Sequence, residues 1–519
     1  MVRGVGQLLL VGREGNADGG KPLMHDHRES DDLVIPAKPP NKLGRPGAEV
    51  VEERRSVEGN AASDTRPGLG AGQGVSTNLA GVRAKARSDG QVRFTALLHH
   101  VTVERLEAAY RALRPNAAAG VDGVTWHEYG QNLQANLADL HARVMRGAFR
   151  AVPVRRVFIP KPDGRLRSLG VASLEDKIVQ RALVEVLNAI YETDFLGVSY
   201  GFRPGRSQHD ALDALAAGIT GRRVNWVLDV DIRDFFGQVD QAWLEKFLEH
   251  RIADRRVLRL IQKWLRAGVI EHGEWSGTET GTAQGASISP LLGNVFLHYV
   301  FDLWANQWRG RHARGHVVIT RYADDAVVGF QHRDEAERFL ADLRRRLTQF
   351  GLEVAEEKTR LIEFGRFAAR DRQRRGDPKP ETFTFLGLTH ICAANRGGRF
   401  QLKRVTSKKK MRAKLKSVKA DMRARMHLPI PEQDAWLASV LTGHYRYYAV
   451  PGNSEALRAY RWAIAREWGR SLRRRSQRHR LSQRRMTELI DRWLPKPRIL
   501  HPWPTDRFDA RTLNRSPVR

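Results

Sequence analysis

The chain has 519 residues, 88 Lys and Arg against 58 Asp and Glu, and a formal net charge of +30. Residues 401–519 carry 30 basic and 9 acidic side chains, and a surplus of 21 gathered there reads as a footprint for phosphates, where charge serving solubility alone would be spread evenly. The single cysteine, Cys392, excludes an intramolecular disulfide and a Cys-rich zinc cluster, and no apolar run is long enough for a secretory core or a membrane span, so a cytoplasmic protein without membrane contact is expected.

Residues 1–90 hold no Phe, Trp or Tyr and 15 of the 45 Gly, too little apolar surface to offset the entropy of ordering them, and are expected to be a disordered tail. Apolar positions at helical spacing from Asp176 to Tyr191 predict a helix. Trp226–Ile232 reads as a strand in which Asp229 and Asp231 share a face. Two β-rich runs, Val317-Val318-Ile319 and Ala326-Val327-Val328, flank Arg321-Tyr322-Ala323-Asp324-Asp325 and predict a hairpin with an acidic pair at its tip. A second helix is expected from Asp334 to Phe350, stopped by Gly351. After Leu402 the chain is helical in character, with Lys408-Lys409-Lys410 at the start and Arg473-Arg474-Arg475 further on.

An acidic pair in a turn is often only solvated. Asp within an apolar strand is costly unless it is paired or binds a cation, so strand and hairpin carboxylates together suggest a Mg²⁺ site. Two such ions about 3.5–4 Å apart clamp the attacking and leaving oxygens of a phosphoryl displacement, as in nucleic-acid polymerases.

Tyr322-Ala323-Asp324-Asp325, preceded by Asp231-Ile232-Arg233-Asp234-Phe235-Phe236, resembles the reverse transcriptases of group II introns. The other blocks follow in that family's order: Ile159-Pro160-Lys161-Pro162-Asp163-Gly164 with Arg167-Ser168-Leu169-Gly170, then Ser199-Tyr200-Gly201-Phe202-Arg203-Pro204-Gly205-Arg206-Ser207, Gly281-Thr282-Ala283-Gln284-Gly285, Glu357-Lys358-Thr359 and Phe385-Leu386-Gly387. Leu441-Thr442-Gly443-His444-Tyr445-Arg446-Tyr447-Tyr448, with Trp462 and Trp468, resembles the family's maturase domain, although a helical thumb with core aromatics would use the same residues. Ala172, Ala283 and Ala286 stand where the family often has Pro, Pro and Gly, which implies different loop rigidity and a divergent subgroup.

The resemblance implies an α+β right-hand polymerase, with fingers and palm over 91–400, a helical thumb or maturase domain over 401–482 and a basic segment over 483–519. It implies an RNA-directed DNA polymerase that uses two Mg²⁺ ions, dNTPs, a DNA primer and an RNA template, with the intron RNA as splicing partner. Asp231, Asp324 and Asp325 would hold metal, the Ile232 carbonyl would add an oxygen, and Asp229 is a runner-up. Lys161 and Arg167 would reach the triphosphate, Gln284 the nucleotide, Tyr322 the primer end, Phe236 the 2′ position of the sugar, and Lys358 the departing pyrophosphate. Lys408, Lys409, Lys410, Arg473, Arg474 and Arg475 would meet RNA. Several of these have an ordinary alternative as surface charge, turn or core. No nuclease module is expected, and the oligomeric state is left open. A domesticated reverse transcriptase serving a retron-like, diversity-generating or CRISPR-linked system is the main rival. A non-enzymatic splicing factor is another, and would more readily have lost one of the acids.

Overall fold

A computed structural model describes residues 79–160, 166–271, 274–277, 281–282, 285–395, 397–475 and 481–507. Within them the architecture is mixed α+β, with three sheets among many helices. The central sheet has the order β6 (Val317–Tyr322), β7 (Asp325–Phe330), β3 (Trp226–Val230), β8 (Arg360–Glu363), and all its pairs are antiparallel. Alternation along β3 sends Leu228 and Val230 into one apolar core and Val227 into a second on the opposite face. Helices bury the sheet on both faces, which is why β6 and β7 are buried along their whole length.

Helix Leu174–Asp194 extends the expected segment at both ends and starts where the Ser173 hydroxyl accepts from the Asp176 amide. Helix Arg333–Thr348 likewise matches the expected one, with Gly351 at φ +73° past its end. A second sheet joins β1 (Val154–Pro160) and β2 (Leu166–Val171) to β4 (Val269–Glu271) and β5 (Glu274–Ser276). The third comprises β9 (Phe383–Phe385), β10 (Leu388–Ala394) and β11 (Phe400–Thr406).

Two expected boundaries need correction. Helix Ala80–Ser88 lies within the segment assigned to the tail, yet Leu79 and Ala86 are buried, and Arg251 donates to the carbonyls of Ala86, Asp89 and Val92. Its short apolar positions carry no aromatic signal, and a distant arginine supplies the partner for its free carbonyls. The rest of the expected tail, residues 1–78, lies outside the described residues. At the other end, helix Gln483–Trp493 buries Met486 and Leu489 in the second core and is continuous with the helices Lys408–Ala424, Ile430–Tyr448 and Ser454–Arg473 rather than a separate segment. The helical stretch itself begins after β11, at Lys408.

Residues 495–507 then return to helix Gln208–Gly221. His501 stacks on His209 at 3.9 Å, and Arg507 ion-pairs with Asp213 at 2.9 Å. Asp213 also accepts from Arg404 of β11 at 2.6 Å.

Three buried imidazoles make the fold sensitive to acid. Burial pushes His209 and His444 down to about 3 and His298 to about 4. Below the ordinary value of 6.5 the unfolded chain takes up protons that these folded sites refuse. Stability is therefore full above that pH and falls as pH drops towards the folded values, by roughly 2 kcal/mol per site at pH 5. Asp176, which burial pushes up to about 6, acts in the opposite direction and returns part of the loss. Thermal melts at pH 7 and pH 5 should show a lower Tm at pH 5; equal values would contradict a destabilising role for these buried imidazoles.

Candidate active site

Several of the expected site residues lie at one end of the central sheet. β6 and β7 are joined by a two-residue turn, Ala323-Asp324, closed by the pair Tyr322 and Asp325. Ala323 holds φ +55°, a left-handed conformation that residues with a Cβ seldom adopt. Gly201 makes it possible for the chain to pass this turn, because a Cβ there would collide with the Ala323 amide.

β3 ends at Val230, two residues before the expected end, and Asp231 leaves the ladder there. Val230 faces Ala326 across β7, so one further step of that register sets Asp231 opposite Asp325. The Asp231 amide donates to the Thr359 hydroxyl at 3.2 Å and its carbonyl accepts from Ala355 at 2.8 Å, while Ile232 bridges Val354. These bonds fasten the Glu357-Lys358-Thr359 turn to the strand end and bring the Lys358 ammonium to 3.4 Å from Asp231 Oδ1. Asp325 is buried and Asp324 half-buried. Asp229 lies further back, buried between Val327 and Arg360.

The donor types suit a hard cation: the carboxylates of Asp231, Asp324 and Asp325 lie at one sheet end. Among the described residues, however, no group of three or more His, Cys, Asp or Glu side chains is already drawn together as a metal cage.

The neighbouring pieces are positioned by backbone. Gly281 and Thr282 donate to the Val239 and Phe236 carbonyls, each at 2.8 Å, which docks the start of the Gln284 loop beside Phe236. Gly285, at φ +117°, lies where a Cβ would stand 2.6 Å from the Gly170 carbonyl, so the far end of that loop touches β2. Phe236 is half-buried and packs edge-on to the buried Phe235. Lys161, Gln284 and the side chain of Arg167 lie outside the described residues.

The family described as reverse transcriptase (RNA-dependent DNA polymerase) matches residues 159–390, which contain every one of these elements. Protein YkfC of Escherichia coli K12 is 34% identical over 276 residues, covering 47% of this chain and 72% of that protein. The group II intron-encoded protein LtrA of Lactococcus lactis subsp. cremoris is 34% identical over 191 residues. The chain belongs to the group II intron-type reverse transcriptase family. It spans about a third of LtrA, the match covering 37% of this chain and 32% of that protein. Nuclear intron maturase 1 of Arabidopsis thaliana is 29% identical over 92 residues, 18% of this chain and 13% of that protein.

In this reverse transcriptase some expected ligand-facing residues are structural. Tyr322 is buried in the second core against Phe202, a core position rather than an open primer platform. Lys410 is buried at 6% exposure, whereas Lys408 is exposed and Lys409 half-buried. Arg475 donates to the Met426 carbonyl at 2.6 Å and to that of Leu428, closing the turn between two helices, while Arg473 and Arg474 are exposed. The aromatics of the maturase-like block are also core: Tyr447 donates to the Leu386 carbonyl at 2.8 Å, Tyr445 to that of Pro495 at 3.2 Å, and His444 stacks on Tyr460. Periodicity places them on a helix but does not say which face is covered.

Sequence reasoning gave no role to Arg321 and Ser199, which stand within quoted motifs, and did not single out Asn294 or Asp302. Arg321 is 1% exposed, and its Nε and one terminal nitrogen donate to Asp302 at 2.7 and 2.6 Å. Further bonds reach the Ala323 carbonyl at 2.7 Å, Ser199 Oγ at 2.8 Å and Asn294 Oδ1 at 3.1 Å. An arginine inside an apolar strand is a signal of the same kind as Asp229.

Proposed function

We propose that this chain extends a DNA primer on an RNA template, and that it does so with a group II intron RNA as its partner in splicing and mobility. The observation that carries the reading is the placement of Asp231 beside the Asp324-Asp325 hairpin at one end of an antiparallel sheet, next to the Lys358 ammonium. Bound there by Asp231, Asp324, Asp325 and the Ile232 carbonyl, two Mg²⁺ ions would supply charge stabilisation for the attacking and leaving oxygens. Lys358, which ion-pairs with Asp231, would give a proton to the departing pyrophosphate. Lys161 and Arg167 bind the triphosphate, Gln284 lies against the nucleotide, and Phe236 limits the sugar. In this reading the first two sheets and their helices form the fingers and palm, and helices 408–493 form the thumb. Among the described residues no helix is long and apolar enough to cross a membrane.

The RNA surface is better assigned to helix Ser454–Arg473 than to the buried aromatics of helix Ile430–Tyr448. Trp462 is 61% exposed with the Arg466 guanidinium 4.7 Å from its ring, and Arg458, Arg470, Arg473 and Arg474 are exposed along the same stretch. Charge for phosphates and a ring for stacking are what exposed RNA bases require.

Primer extension on an RNA template with dNTPs, alongside filter binding of the intron RNA across a salt series, tests both halves. Replacing Arg473 and Arg474 with Gln should leave extension intact and flatten the salt dependence of binding by ~0.7–0.9 log units for each phosphate no longer neutralised. Arg475 stays in place because of its structural bonds. A wild-type salt slope in the double variant would remove this cluster from the RNA surface.

A further inference from the structure

The hairpin that presents Asp324 is held in a strained form by a buried side chain rather than relaxed by a glycine. A left-handed non-glycine residue persists only where its surroundings over-determine it. Around Ala323 they do so in two ways. Arg321, two residues earlier, folds back to donate to the Ala323 carbonyl, and Gly201 closes on the turn from the other side. Both are anchored by the same amide, since Asn294 accepts from Arg321 at 3.1 Å and donates to the Gly201 carbonyl at 2.7 Å.

The remaining donors of Arg321 are saturated by Asp302 and Ser199. Asp302 closes a π-helical segment, His298–Asp302, between helices Ser289–Leu297 and Leu303–His312. A π turn inserts an extra residue, so it rotates the next helix about its axis and can aim a side chain that a regular helix would send elsewhere. A buried ion pair is weak evidence of a stabilising role, because apolar replacements of similar volume are often as stable. The distinctive feature here is geometric: one planar fork serves four groups, which an ammonium cannot imitate.

We propose that Arg321 is a positioning residue for polymerisation, fixing the left-handed turn at Ala323 and so the direction in which the Asp324 carboxylate leaves the hairpin. This rests on the polymerase reading. Asp302, Asn294 and Ser199 act through Arg321, and none of the four touches substrate.

The test is Arg321→Lys in the full chain, read by steady-state extension and by amide hydrogen exchange at residues 322–326. The expected result is a fall in kcat of about tenfold or more with KM for dNTP within about threefold, because positioning acts on the transition state. Exchange in the hairpin should rise about tenfold as the turn loosens. Adding Ala323→Gly to Arg321→Lys should recover about fivefold in kcat, since glycine adopts the left-handed turn without help. Should Arg321→Lys fail to fold, Ser199→Ala removes one bond of the network and Asn294→Ala two, and both should show the same pattern at smaller amplitude. Wild-type kcat and exchange in the variants would overturn the proposal, as would a loss of kcat with unchanged exchange and no recovery by glycine. If the wild type itself failed to extend primers, the polymerase reading would fall, and the exchange data alone would still decide whether Arg321 holds the turn.

Discussion

Asp231→Asn and Asp324→Asn should each reduce primer extension by about 10²–10³-fold or more, the scale seen when a group that stabilises transition-state charge is removed. The reasons differ between the two positions. Asp324 projects from the tip of a hairpin whose backbone is held independently of its carboxylate, so the asparagine should occupy the same place without the charge. Asp231 is fastened through its own amide and carbonyl, and its side chain is within 3.4 Å of Lys358, so its replacement also removes a counter-charge from beside that ammonium. Because the backbone bonds remain in both variants, Tm should stay within about 3 °C of wild type and RNA affinity should be unchanged. Extension by either variant at the wild-type rate in ordinary Mg²⁺ would sink the assignment of the site.

Phe236→Ala should shift sugar selection towards ribonucleotides by about 10- to 100-fold in the ratio of the two kcat/KM values, because steric exclusion acts on only one of the competitors. The ring is half-buried beside Phe235, and its carbonyl holds Thr282, so truncation opens space next to the loop that carries Gln284 without removing the bond that docks it. Competing dNTP and rNTP incorporation on one primed template measures the ratio directly. An unchanged ratio would assign Phe236 to packing alone.

Most of this architecture was legible from the residues because the informative ones are local. The hairpin, its acidic pair and the two long helices depend on periodicity and turn chemistry between near neighbours in sequence, and they lie where the spacing predicted. The features that escaped depend on pairings between distant positions. Helix Ala80–Ser88 is short and lacks aromatics, and it belongs to the body because Arg251 caps its end. Lys410 and Arg475 look like their neighbours in a basic run, and only the packing of the helices separates them from Lys408 and Arg473. The π segment that carries Asp302 has no local signature at all, since its sequence reads as one continuous helix.

Arg404 precedes the C-terminal helices, Arg507 follows them, and Asp213 is partner to both. Roughly a hundred residues are thereby gathered into a lasso whose two feet stand on a single carboxylate, and its length matters little, because closure entropy grows only with the logarithm of loop size. The order of synthesis matters more. The second foot is made by Arg507, so helix Gln208–Gly221 emerges from the ribosome long before the group that completes its ion pairing, and every helix between Arg404 and Arg507 must already be out when the lasso shuts. Docking of these helices and completion of the Asp213 pairing are on this topology coupled, and both wait for Arg507.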